Sequence, residues 1–71
     1  MKRDVRDCLR EYINDKGYKK TVLAAKAGMS KNALCQVLKK RQRLEANEYL
    51  RICDALEVSP TTIRNYESKL P

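Results

Sequence analysis

Between Lys16 and Leu44 the chain carries nine basic side chains and no carboxylate, while all nine of its acids lie outside that window. At the window's centre stand Ser30, Lys31, Asn32, Cys35 and Gln36. The amides of Asn and Gln bond bidentately to adenine, and a Lys ammonium donates to guanine O6 or N7. Lys19 and Lys20 lie to one side of this group, and Lys39, Lys40, Arg41 and Arg43 to the other. Such cations bind phosphate oxygens and set register without reading sequence. The chemistry on offer is recognition of a polyanion with patterned edges. Catalysis has nothing to work with: the chain contains no His, no Gly-rich phosphate loop and no nucleophile framed by a base. An enzyme is not expected.

The formal net charge is +7, with +9 inside the window and −2 over the remainder. That asymmetry points to a polyanionic partner, because a basic surface kept for solubility has acids interspersed. The 71 residues make one domain, 1–71, and a chain this short needs tight helix packing or oligomerisation to be stable. With four Tyr, no Phe and no Trp, the core must come from Leu, Ile, Val, Ala and Cys. Cys8, Cys35 and Cys53 are odd in number and lack the paired spacing of a metal site. No metal or other cofactor is expected. Cys8 and Cys53 fall on apolar stripes, whereas Cys35 lies among cations. No apolar run approaches the roughly 18 residues of a membrane span, and Met1-Lys2-Arg3-Asp4 leads into charge rather than into a signal peptide. A cytoplasmic protein without a membrane partner is the expectation.

Positioning the central residues requires helices. Val5, Cys8, Leu9, Tyr12 and Ile13 recur at i, i+3, i+4, i+7 and i+8, one amphipathic stripe, with Asp4 as N-cap and Gly17 as terminator. A second helix is predicted from about Lys20 to Ala27. A third starts after Ser30, a good N-cap, with Leu34, Val37 and Leu38 on one face. A fourth covers about Ala46 to Leu56. A fifth opens at Ser59-Pro60, with Val58 and Ile63 placed to staple its start. No strand pattern occurs, so the fold class is all-α.

Residues 20–39 have the spacing of a helix-turn-helix: small Ala24 where two helices approach, Gly28 for a turn with positive φ, and Met29 beneath the turn. Leu34 and Val37 anchor the second helix. Together with Leu23-Ala24, Ser30 and the run Ala55-Leu56-Glu57-Val58-Ser59, these residues make the stretch from about Asp4 to Ile63 resemble the phage repressor and Cro family of helix-turn-helix domains. The resemblance implies a compact five-helix, lambda-repressor-like fold binding operator DNA as a homodimer, with a phage or prophage-type origin. Four positions depart from the family pattern. Lys19 and Lys20 stand where Ser or Thr and then Gln are common, Lys40 where Gly is common, and Leu44 where Pro is common.

The expected roles follow. Lys31, Asn32 and Gln36 read bases, with Ser30 and Cys35 as secondary contacts, while Lys19, Lys20, Lys39, Lys40, Arg41 and Arg43 hold phosphates. Ile63, Tyr66 and Leu70 form a stripe that either meets a second copy or closes the monomer core. The partner is double-stranded DNA, and no small-molecule effector is evident. The competing reading is a protein-interaction module, antitoxin-like or adaptor, using the same basic face on an acidic protein. Such a face would be expected to hold aromatic and Arg anchors, and residues 30–36 contain none.

Overall fold

The computed structural model describes residues 4–67. Among them run five helices and no strand: α1 (Val5–Lys16), α2 (Lys20–Lys26), α3 (Lys31–Leu38), α4 (Ala46–Leu56) and α5 (Pro60–Arg64). The N-caps at 4, 30 and 59 are those the sequence predicts. Asp4 accepts from the Arg6 N–H, Ser30 from Ala33 and Ser59 from Thr62, each satisfying an orphan amide of a first turn. Pro60 occupies the first position of α5, where its missing N–H costs no bond.

One core joins all five helices. It takes Cys8, Leu9, Tyr12 and Ile13 from α1, Leu23 and Ala24 from α2, and Leu34 and Leu38 from α3. Ile52, Cys53 and Leu56 of α4 and Ile63 of α5 complete it. Helix α1 packs on α3 and α5, while α2 packs on α3 and α4. Leu44, in the place where a Pro was the family norm, is half-buried against this core. Among the described residues no buried side-chain nitrogen or oxygen lacks a hydrogen-bond partner, so the core bears no unpaired polar group.

Four helices stop by one device. A left-handed residue follows α1, α2, α3 and α4 in turn: Gly17 (φ 75°), Gly28 (72°), Lys40 (61°) and Glu57 (59°). At each stop two amides reach back, as Gly17 to Asn14 with Tyr18 to Ile13, or Lys40 to Val37 with Arg41 to Gln36. This is the Schellman pairing, which ordinarily adds an apolar contact from the residue after the left-handed one. Met29 and Val58 supply it by packing on the core, and the Tyr18 ring does so by stacking on Tyr12 at 6.3 Å between centroids. After α3 the corresponding residue is Arg41, which is exposed.

Two tyrosines tie α5 and its exit to the rest. The Tyr49 hydroxyl donates to the Pro60 carbonyl at 2.6 Å, and burial pushes that phenol up to about 12. The Tyr66 ring meets Tyr12 edge-on at 5.1 Å, and its hydroxyl donates to Asp15 Oδ2 at 2.6 Å. The stripe read as either interface or core is divided between these roles. Ile63 is 0% exposed and closes the monomer core, because α5 is a single short turn-and-a-half with one apolar position to bury. Tyr66 keeps part of its surface. Leu70 lies outside the described residues.

A left-handed residue with a Cβ costs about 1 kcal/mol relative to Gly. Glu57→Gly should therefore stabilise the domain by about that amount and raise Tm by about 4–8 °C for a chain of this size. Thermal unfolding followed by circular dichroism checks it, and a lowered Tm would show that the Glu57 side chain contributes more than its backbone costs.

Candidate nucleic-acid interface

Helix α3 presents two faces because its buried residues leave no choice. Leu34, Val37 and Leu38 are buried, and at about 100° per residue Asn32, Gln36 and Lys39 fall on the opposite side, with Cys35 on the flank. Ser30, Lys31, Asn32 and Lys39 are exposed, whereas Gln36 and Cys35 are half-buried. The Ser30 Oγ is engaged as the cap on Ala33 N–H at 3.0 Å, leaving its own hydroxyl proton to donate outward. The five expected base-reading residues thus lie on one short helix and its cap.

The cations fall into two groups set by α1. At its C-terminal end, the Gly17 stop and the Tyr12–Tyr18 stack direct the chain straight into Lys19 and Lys20 at the start of α2. No side chain caps α2 at Lys19. At its N-terminal end, α1 grips the segment leaving α3: Arg6 Nη1 donates to the Gln42 carbonyl at 3.2 Å, and Lys40 Nζ reaches Asp7 Oδ2 at 3.1 Å. Lys39, Arg41 and Arg43 are exposed on that segment. The 12 residues of α1 span about 18 Å at 1.5 Å each. One cation group thus adjoins the C-terminal end of α1 and the other is tied to its N-terminal end. Among the described residues, Lys40 is the one expected phosphate ligand in an ion pair with a carboxylate.

Sequence reasoning placed Asp4 as a cap but missed its pairing with Arg6 and the parts played by Arg6 and Asp7. Arg6 bends back on Asp4 with Nε to Oδ1 at 3.0 Å and Nη2 to Oδ2 at 2.6 Å, while its remaining nitrogen holds the loop. The i to i+2 spacing of Asp4 and Arg6 was the available signal, but their link to residue 42 has no local trace. The guanidinium bonds hold the Asp4 carboxyl down at about 2, against a smaller opposing effect of burial. Arg6 is raised in return.

A buried small-residue crossing, a left-handed Gly28 turn and an exposed polar face on the second helix define a helix-turn-helix domain. The chain belongs to the Cro/C1-type HTH DNA-binding domain family, whose model matches residues 8–69. It is a DNA-binding regulator and not an enzyme. Its fold is similar to that of the DNA-binding domain of the P22 C2 repressor, solved by nuclear magnetic resonance, with a TM-score of 0.81. That match is 17% identical and covers 100% of this chain and 95% of the other. A search of curated proteins gives no match. Among the described residues no helix is long and apolar enough to cross a membrane.

The Asp4–Arg6 bonds carry a pH signature. Because the folded-state carboxyl is depressed, its contribution to stability is complete above the ordinary value of 3.8 and is lost as pH falls through about 2. In an NMR titration the Asp4 side chain should show a midpoint near 2, and Arg6→Gln should return it toward 3.8. A wild-type midpoint already near 3.8 would count against the grip of Arg6.

Proposed function

We propose that this domain is a sequence-specific transcriptional regulator of the phage-repressor type, reading a two-fold operator through the major groove. The observation that carries this reading is the carboxylate-free outer face of α3, preceded in the chain by Lys19 and Lys20 and followed by Lys39, Lys40, Arg41 and Arg43. In this reading Asn32 and Gln36 bond adenine edges, Lys31 donates to guanine, and Ser30 and Cys35 make the secondary contacts. Lys19, Lys20, Lys39, Lys40, Arg41 and Arg43 hold the two strands by their phosphates. The protein acts where DNA is accessible in the cytoplasm, without a small-molecule effector.

An eight-residue recognition helix touches few base pairs, and a second copy on an adjacent half-site doubles the reading. The domain measures 29 Å at its longest, so two copies fit side by side on half-sites about 34–36 Å apart. Of the three residues expected at a homodimer contact, Ile63 is buried in the monomer, and in this reading Tyr66 and Leu70 make it.

Selection from a random duplex library at about 100 mM salt, where non-specific phosphate binding is weakened, should return a two-fold motif with half-sites roughly 10 bp apart. Enrichment without a motif would reduce the protein to a basic coat on DNA, and no enrichment would favour a protein partner. On the selected sequence, Gln36→Ala should cost about 1–3 kcal/mol and relax the preference at one base position. A loss of affinity with the preference intact would place Gln36 on the backbone instead.

A further inference from the structure

Lys40 combines two costs that a simple phosphate ligand would not carry. Its backbone sits in the left-handed region at φ 61°, where Gly is the ordinary choice. Its ammonium is also already occupied, by Asp7 Oδ2 at 3.1 Å across 33 residues of sequence. Asp7 is the better shielded partner, its side chain 22% exposed against 43% for Lys40. The same carboxylate takes a second cation, Arg10 Nη1, on Oδ1 at 3.0 Å. The other expected phosphate ligands, Lys19, Lys20, Lys39, Arg41 and Arg43, have no carboxylate partner among the described residues.

We propose that Asp7 is an internal counter-ion that competes with the DNA backbone for Lys40, so that a phosphate binds there only by displacing a carboxylate. This deepens the DNA-binding reading and rests on it. Arg10 makes the exchange feasible: when Lys40 turns outward, Asp7 keeps one charge-assisted bond and is not left as an unpaired anion against α1. Because Asp7 competes for it, Lys40 reaches a phosphate in only part of the bound population and so adds much less than one full ion to those released. Asp7 thus lowers both the affinity for duplex DNA and the salt dependence of that affinity below what six cations alone would give.

The test compares Asp7→Asn, Lys40→Ala and the double variant with wild type on a short duplex over a range of salt. Glu57→Gln serves as the control, making the same change in net charge on a different element. Asp7→Asn should bind about two- to fivefold more tightly, the range expected from freeing one exposed ion pair. Its salt slope should steepen by about one unit. Lys40→Ala alone should change the slope by much less than one unit, and the double variant should lose the whole gain. Retention on heparin, a polyanion without base pairs, reads the same competition independently: Asp7→Asn should elute at higher salt than both wild type and Glu57→Gln. If Asp7→Asn binds more weakly with an unchanged slope, or elutes from heparin with wild type, Asp7 merely braces the loop and the proposal falls. If Glu57→Gln gains as much, the effect is net charge alone and the proposal falls equally. A wild-type protein that ignores duplex DNA while the heparin shift persists would remove the DNA reading and leave the pairing of Asp7 with Lys40 standing.

Discussion

A helix of eight residues is unstable on its own in water, because nucleating the first turn fixes several dihedrals for a single hydrogen bond. Helix α3 is of that length, and it persists because Leu34, Val37 and Leu38 are buried, each worth about 1.5–3 kcal/mol on full burial. The rest of the molecule depends on this constraint. Burying three of its eight positions decides which way the others look, and Asn32, Gln36 and Lys39 face outward as a consequence of what Leu34 and Val37 must do. Recognition chemistry and folding energetics are therefore two sides of one short helix.

Helix α1 carries the complementary task of fixing distances. Its stripe of Cys8, Leu9, Tyr12 and Ile13 anchors it to the core, and its two ends hold the two groups of cations. The attachments differ in kind. At the C-terminal end the contact is aromatic, Tyr18 against Tyr12, and therefore indifferent to salt. At the N-terminal end it is ionic and polar, through Asp4, Arg6 and Asp7. Surface ion pairs are worth only about 0–1 kcal/mol each, so much of the hold on the loop after α3 comes from Leu44 packed on the core.

Much of this architecture was legible in the sequence where a residue type has a narrow conformational meaning. Asp4, Ser30 and Ser59 cap, Gly17 and Gly28 turn, and Pro60 starts a helix, each for a local steric or hydrogen-bonding reason. The left-handed residues at 40 and 57 were not legible, since neither Lys nor Glu is a terminator by type. At 57 the left-handed turn accompanies the packing of Val58 on the core, whereas at 40 the residue that follows, Arg41, is exposed. The outward face of α3 followed from periodicity, yet the half-burial of Gln36 and Cys35 did not, because neighbouring elements shade a helix flank in ways that a 3.6-residue period cannot encode. Ile63 fitted an interface as well as a core by its spacing. The brevity of α5 decides the matter, leaving it one apolar side chain with which to dock. Contacts such as Arg6 with Gln42 join segments far apart in sequence and leave no local pattern at all.

The Tyr66–Asp15 bond has a mechanical side. It pins the chain leaving α5 to the last turn of α1, within a few residues of the point where the chain enters α2 through Lys19 and Lys20. The chain leaving α5 and the chain entering α2 therefore share a single anchorage. The link between these two points runs through the core residue Tyr12, against which both the Tyr18 and the Tyr66 rings rest. A change at Tyr12 would therefore loosen the exit of α5 and the entry to α2 together, although these lie almost 50 residues apart in sequence.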